Sequence, residues 1–169
     1  MPSVVVVEDD DEICDALQML LVDEGYTVAH AHSGVRGLEL LRRSPGEGVV
    51  LFDYKMPHGD GLYFLTAVAA EAPLRRRYAY ICLAAADLLR LPAEFTALRD
   101  RLDVPFVSKP FDIDTVVTAV EDAQRRLLAR SAAQRPTGAD AEASEAAARG
   151  RERAGIFAPL TGMHRRQHP

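Results

Sequence analysis

Five short runs of apolar, mostly β-branched residues recur along the first 130 residues, separated by longer stretches with helical spacing. This alternation is typical of repeated βα units built around a parallel sheet. The runs are apolar nearly throughout, which favours strands covered by helices on both faces. We therefore predict an α/β fold whose five strands lie at residues 4–7, 27–31, 49–52, 80–83 and 105–107.

The stretches between these runs carry the residues that begin and end helices. Asp10 or Asp11 is placed to cap the first helix, Ser33 the second and Asp112 the fifth. Pro92 breaks any helix that contains it in its interior, so we expect the fourth helix to begin with Pro92 in its first turn. The first predicted helix starts after Asp10 or Asp11, and the others start at about residues 35, 61, 93 and 113. The first four end at about 23, 43, 70 and 101.

The charge of the chain differs between its two parts. Residues 1–130 hold 21 acidic and 14 basic residues, whereas residues 131–169 hold 4 and 6. Contacts to nucleic-acid phosphates require clustered Lys and Arg, so we expect no direct DNA binding by the folded part. The short basic clusters at residues 75–77 and 125–126 are interpreted as solvated loop and helix surface.

Residues 131–155 contain no apolar residue larger than Ala. Such a segment cannot bury enough surface to offset the entropy of ordering it. We therefore predict one folded domain at 1–130 and a low-complexity, disordered tail at 131–169, with no second folded module.

The longest unbroken apolar run, at residues 78–86, is far shorter than the roughly 18 residues of a membrane-spanning helix. The start of the chain lacks the basic region and cleavage site of a signal peptide. We expect no membrane association and a cytoplasmic location. Cys14 and Cys82 lie in apolar surroundings, which predicts reduced core residues rather than a disulfide or a metal site.

Acidic residues stand where two of the predicted strands end. Glu8 and Asp9 follow the first strand, and Asp53 follows the third. The carboxyl ends of parallel strands are where open α/β sheets bind their ligands. Clustered carboxylates repel one another and stay ionised only when a cation shares the site, and oxygen ligands suit Mg²⁺. The sequence thus predicts a magnesium site, although each carboxylate taken alone also suits a helix cap or a turn.

Three ordered motifs, within residues 3–128, resemble the receiver domain of bacterial two-component response regulators. They lie at residues 4–10, 49–61 and 105–111. In the second motif Asp53 occupies the position of the phosphoacceptor, with Pro57 four residues and Gly61 eight residues beyond it. In the third motif Lys109 is one of only two lysines in the chain.

The resemblance implies a flavodoxin-like fold with a five-stranded sheet in the order 2-1-3-4-5 and helices on both faces. It also implies that Asp53 accepts a phosphoryl group, from a phosphohistidine protein or from a small molecule such as acetyl phosphate. Lys109 would stabilise the charge of the transferred group, as phosphoryl transfer requires. The peptide bond between Lys109 and Pro110 would be cis.

The same resemblance implies how Mg²⁺ is held. Asp9 and Asp53 would bind the ion directly, the backbone carbonyl of Lys55 would complete the protein ligands, and Glu8 would hold a metal-bound water. The Lys55 side chain has two open interpretations. It lies near the phosphoryl group and affects the access of water, or it is an exposed loop residue.

One position departs from the family pattern. Ala84 follows the fourth strand where the family usually has Thr or Ser, and the matching aromatic on the fifth strand, Phe106, has no hydroxyl. A methyl group cannot make the hydrogen bond that a hydroxyl makes, which is worth about 1 kcal/mol. We expect phosphorylation to survive and the conformational relay between Ala84 and Phe106 to be impaired.

The function expected from the resemblance is that of a stand-alone receiver rather than an enzyme, apart from its own aspartyl phosphorylation and dephosphorylation. Its donor would be a histidine kinase or a histidine phosphotransfer protein. It would signal through the fourth helix, fifth strand and fifth helix, or relay the phosphoryl group onward.

Two alternatives are open. The first is a phosphorylation-independent interaction module in which Ala84 marks lost switching. The second is a phosphatase of the haloacid-dehalogenase type, which carries its nucleophile after the first strand and needs a cap domain.

Overall fold

The computed structural model describes residues 3–57, 60–85 and 91–134. Within those ranges the chain forms five strands and six helices. In chain order they are β1 (Ser3–Val7), α1 (Asp11–Asp23), β2 (Thr27–Ala31), α2 (Gly34–Arg43), β3 (Gly48–Asp53), α3 (Gly61–Ala70), α4 (Ala72–Arg77), β4 (Tyr78–Ala85), α5 (Ala93–Arg101), β5 (Phe106–Lys109) and α6 (Ile113–Gln134).

All five strands are parallel and lie in the order β2-β1-β3-β4-β5, so the predicted fold and topology are confirmed. Two apolar layers cover the sheet. One is built on buried residues of α2, α3 and α5, such as Leu38, Phe64 and Phe95, and the other on residues of α1 and α6, such as Leu17 and Val120. The apolar strands predict this sandwich because neither face of the sheet is left to water.

Burial is least complete at β2. Thr27, Ala29 and His30 are exposed, and Ala31 is the only fully buried residue of this strand. The strand order explains the difference, because β2 is an edge strand with β1 as its single neighbour.

Several element bounds differ from their predicted positions. β4 begins two residues earlier and ends two residues later than predicted, and β5 is shifted toward Lys109. Pro92 stands at the N-cap of α5 rather than inside its first turn. α6 continues to Gln134, past the predicted start of the tail, and the rest of the predicted tail lies outside the described residues.

The short helix α4 was not predicted, and it changes the interpretation of the basic cluster at residues 75–77. Pro73 lies in the first turn of α4, where its missing N–H costs nothing. Arg77 is half-buried, and its guanidinium donates to the carbonyls of Leu41, at 3.0 Å, and Ser44. The prediction of solvated surface is therefore wrong for Arg77, because this side chain satisfies carbonyls at the C-terminal end of α2.

Cys14 and Cys82 are both buried and free, as predicted. Burial raises the pKa of each thiol, which keeps both protonated near neutral pH. No helix in the described ranges is both long enough and apolar enough to span a bilayer.

Candidate functional site

Sheet register brings the two acidic strand ends together. Val7 of β1 pairs with Phe52 of β3, so the residues that follow them, Glu8 and Asp53, are neighbours at one edge of the sheet. The Glu8 amide donates to the carbonyl of Ala31 at 3.0 Å, which extends the ladder to β2 by one residue. The main chain of both acidic residues is therefore fixed by strand pairing.

The turn after β1 fixes the rest of the acidic segment. Asp10 caps α1, because its Oδ1 accepts from the amides of Glu12, at 3.0 Å, and Ile13, at 3.1 Å. Of the two predicted caps the structure uses Asp10, whose own amide donates to Glu8 Oε1 at 3.3 Å. Asp9 is exposed between the strand and the helix.

Lys109 joins the site from the far side of the sheet. It lies at the end of β5, and its side chain crosses the end of β4 to reach residues of β3 and β1. Its Nζ lies 2.7 Å from Glu8 Oε2 and 2.9 Å from Asp53 Oδ1. The other oxygen of Asp53, Oδ2, accepts from the amide of Lys55 at 3.0 Å. One ammonium thus holds two buried carboxylates.

The pKa values in this cluster are set by burial and by the charged neighbours of each group. Burial, together with the charge of Asp53, raises the pKa of Glu8 above its usual value even though Lys109 opposes the shift. Burial alone would lower the pKa of Lys109, but its hydrogen bonds to Glu8 and Asp53 outweigh that effect and raise it. Lys109 is therefore a permanent cation near neutral pH, and it neutralises only part of the charge around it.

The carboxylates of this cluster fit a hard divalent cation. Oxygen atoms of Glu8, Asp9 and Asp53 lie within 4.8 Å of one another. An all-oxygen set of this kind suits Mg²⁺, which takes one or two carboxylates and keeps open positions for phosphate oxygens. Three carboxylates and the Lys109 ammonium together leave two unbalanced negative charges. A divalent cation supplies the two positive charges that balance them.

The remaining predicted positions lie around this cluster. Ala84 is fully buried at the end of β4 opposite Ser108, and Phe106 is half-buried on β5 opposite Cys82. Neither Ala84 nor Phe106 has a polar side-chain atom. The Lys55 side chain is exposed. The peptide bond between Lys109 and Pro110 is cis. The structure thus gathers the predicted site residues at one edge, except Phe106, which lies at the start of β5. Their roles stay predictions.

Sequence reasoning missed the support beneath Asp53. The amide of Tyr54 donates to the carbonyl of Leu83 at 2.8 Å, and its carbonyl accepts from the amide of Gly61 at 2.7 Å. The spacing between Asp53 and Gly61 in the second motif was a signal for this contact. No sequence signal marked Phe95, whose ring packs against Tyr54.

Replacing Gly61 with Ala is expected to lower the free energy of unfolding by about 1–3 kcal/mol, the usual cost of overpacking. A Cβ at this position would lie 2.9 Å from the Cα of Tyr54, a clamped main-chain atom that cannot give way. The gain in helix propensity at the start of α3 is at most about 1 kcal/mol, so the steric clash determines the sign of the change in stability. Urea unfolding measures the change.

The matched control is Gly46→Ala, because nothing lies within 4 Å of a Cβ built at Gly46. We expect that variant to unfold within about 0.5 kcal/mol of the unmodified protein. Equal stability of the two variants would show that Gly61 is not confined by Tyr54.

Comparisons with known proteins agree with this geometry. A family model described as "Response regulator receiver domain" matches residues 4–121. The receiver domain protein (CheY-like) of Methanospirillum hungatei has a crystal structure that superposes with a TM-score of 0.66. It has 26% sequence identity to this chain, and the match covers 75% of this chain and 96% of that one.

Two curated relatives carry the names of transcriptional regulatory proteins. YkoG of Bacillus subtilis, named as uncharacterized, is 31% identical over 126 residues, which is 73% of this chain and 51% of that protein. AfsQ1 of Streptomyces coelicolor is 46% identical over 61 residues, 36% of this chain and 27% of that protein. The chain thus spans about half or less of their length. From its family match, its sheet and its acidic strand ends, the chain belongs to the response regulator receiver domain family of two-component signalling.

Proposed function

We propose that Asp53 accepts a phosphoryl group and that the phosphorylated domain signals by contact with other proteins. The observation that carries this proposal is the pair of bonds from Lys109 Nζ to Glu8 and Asp53 inside a buried acidic pocket. A buried ammonium is costly unless several anionic partners hold it in place. Here it is aimed at the carboxylate that would receive the phosphoryl group.

In the proposed reaction an oxygen of Asp53 forms a bond to phosphorus while the bond from phosphorus to the donor breaks. The electron pair of the broken bond leaves with the donor, an imidazole for phosphohistidine or acetate for acetyl phosphate. Lys109 holds the carboxylate in place and offsets the charge on the phosphoryl oxygens. Lys55 contributes its amide, which fixes the second oxygen of Asp53.

The carboxylates of Glu8, Asp9 and Asp53 and the backbone carbonyl of Lys55 are the groups that we propose to hold Mg²⁺. When bound, Mg²⁺ would supply positive charge to the phosphoryl oxygens. Asp9 is the exposed member of the three carboxylates.

Receiver domains interact with histidine kinases and with downstream partners, and we propose both for this chain. A further relative is named "Sensor kinase CckA", from Brucella abortus, and is 30% identical over 123 residues. The downstream surface proposed from the sequence consists of α5, β5 and α6 in the structure. The donor would be a histidine kinase or a phosphotransfer protein, and relay of the phosphoryl group to a phosphotransfer protein is the second possible output.

Asp53→Asn is expected to abolish phosphorylation, because an amide is not a nucleophile toward phosphorus. We expect intact-protein mass spectrometry to show one added phosphoryl group after incubation with acetyl phosphate and Mg²⁺. The gain should be absent in Asp53→Asn and in the unmodified protein with a chelator. A gain that survives in Asp53→Asn would place the acceptor elsewhere and contradict the proposal.

The alternative function is an interaction module that works without phosphorylation, and the buried methyl group of Ala84 favours it. No mass gain from acetyl phosphate or from a phosphohistidine protein would support this alternative. The phosphatase alternative lacks support, because the family match is to receiver domains and Asp53 lies at the end of β3 rather than after β1. The stand-alone organisation and the cytoplasmic location stay predictions of the sequence.

A further inference from the structure

The side chain of Tyr54 connects the loop after Asp53 to helix α5. Its ring meets the ring of Phe95 with the centroids 4.7 Å apart and the planes at 69°. Edge-to-face pairs of this kind attract each other by about 0.5–1.5 kcal/mol beyond the burial of their area. Phe95 is fully buried in the first turn of α5. This ring contact therefore links the neighbour of Asp53 to helix α5.

Helix α5 depends on Phe95 for its attachment. Phe95 is the only fully buried side chain of α5, and Leu98 is half-buried. At its start, Pro92 occupies the N-cap and makes no side-chain capping bond. A helix without a capping side chain lacks about 1 kcal/mol of stabilisation at that end. The position of α5 is therefore sensitive to whatever packs against Phe95.

The loop between β3 and α3 is clamped on either side of Tyr54. Hydrogen bonds to Leu83 and Gly61 hold the Tyr54 amide and carbonyl at 2.8 and 2.7 Å. The next amide, that of Lys55, is held instead by the Asp53 carboxylate at 3.0 Å. This third hydrogen bond is the part of the loop that a change at Asp53 alters directly.

Phosphorylation would convert the Asp53 carboxylate into an acyl phosphate. Its carboxyl oxygens then no longer carry the charge of an anion, and hydrogen bonds to charged acceptors are roughly twice as strong as those to neutral ones. The bond from the Lys55 amide would therefore weaken. With the amide and carbonyl of Tyr54 clamped, the loop can respond through residue 55 and through the Tyr54 ring.

The side chains of Ala84 and Phe106 provide no polar link between Asp53 and α5. Ala84 is fully buried and has only a methyl group, so it cannot form a hydrogen bond to a phosphoryl oxygen with its side chain. Phe106 is a half-buried hydrocarbon ring on β5. Within the described residues, aromatic packing through Tyr54 is therefore a direct physical connection between the loop after Asp53 and α5.

We propose that the contact between Tyr54 and Phe95 couples the phosphorylation state of Asp53 to the position of helix α5. Tyr54 acts as a positioning residue and takes no part in the transfer itself. This inference rests on the proposed function of Asp53 as the phosphoacceptor. In this proposal the contact between the two rings transmits the signal, because the side chains of Ala84 and Phe106 have no hydroxyl group to do so.

The test measures hydrogen exchange of peptides that cover α5 in the full chain, before and after treatment with acetyl phosphate and Mg²⁺. Intact mass in the same samples gives the extent of phosphorylation. In the unmodified protein we expect the exchange rate in α5 to change at least about twofold when Asp53 is phosphorylated. Tyr54→Leu should take up the phosphoryl group but lose this change, whereas Tyr54→Phe, which keeps the ring, should retain it.

Two further variants keep the test decisive. Phe95→Leu removes the partner ring and should also lose the response, which guards against misfolding of Tyr54→Leu. Tyr63→Leu removes an exposed tyrosine on α3 and should respond like the unmodified protein. A full α5 response in phosphorylated Tyr54→Leu, or none in the phosphorylated unmodified protein, would overturn the coupling alone. The absence of any mass gain would overturn the proposed function and the coupling with it.

Discussion

Replacing Lys109 with Met is expected to slow the phosphorylation of Asp53 by acetyl phosphate about 100-fold or more. Removal of one preorganised group that stabilises developing charge typically costs a factor of about 10²–10³ in rate. The structure gives a specific reason to expect this size. The ammonium lies 2.9 Å from Asp53 Oδ1 and its side chain is 19% exposed, so water replaces it poorly. The rate of mass gain at fixed donor and Mg²⁺ concentrations measures the effect.

Two controls separate the effect of a cation beside Asp53 from the effect of the net charge of the protein. Lys109→Arg keeps a cation and should recover part of the lost rate, although the planar guanidinium cannot copy the contacts of an ammonium. Arg125→Met removes a cation from an exposed part of α6 and should leave the rate unchanged. A Lys109→Met variant that reacts as fast as Arg125→Met would show that Lys109 holds the pocket together without assisting transfer.

The strands and their acidic ends were predictable because both depend on local sequence, whereas the strand order was implied by the family resemblance. Apolar runs set the strands, and in a parallel sheet every strand delivers the residue after it to the same edge. Glu8 and Asp53 follow directly from this rule once β1 and β3 are neighbours. The direct bond between Lys109 and Glu8 did not follow, because it depends on how a long side chain crosses β4.

The features that sequence reasoning missed depend on packing between distant segments. Arg77 has the composition of a surface residue, but the ends of α2 and α4 meet and leave carbonyls for it to bind. Tyr54 and Phe95 are about forty residues apart, and their contact requires α5 to pack beside the end of β3. Neither hydrophobic periodicity nor a capping signal contains that information.

Replacing Glu8 with Gln is expected to weaken Mg²⁺ binding at least about tenfold, which corresponds to about 1.4 kcal/mol. The substitution keeps the shape of the side chain and an acceptor oxygen for Lys109, and it removes one of the charges that attract the ion. Titration with Mg²⁺ at neutral pH measures the affinity. Glu12→Gln, an exposed position in the first turn of α1, is the matched control and should bind nearly as the unmodified protein does.

Without Mg²⁺ the same substitution is expected to raise the melting temperature at neutral pH. Because the pKa of Glu8 is raised in the folded protein, the unfolded chain releases this proton first. The group therefore costs stability as the pH rises from about its ordinary value of 4.5 through the raised value. The melting temperature of Glu8→Gln should therefore rise above that of the unmodified protein as the pH increases over that interval.

Saturating Mg²⁺ should narrow or reverse this difference in melting temperature. An ion that binds the folded state raises stability more in the protein that binds it more tightly, which is the unmodified one. Melting curves with a chelator and with Mg²⁺, at pH 4 and at pH 7, test both signs. A Glu8→Gln variant that is less stable than the unmodified protein in chelator at pH 7 would contradict the argument. Such a result would mean that the ionised Glu8 stabilises the fold as a partner of Lys109, rather than lowering the stability of the protein until a cation binds.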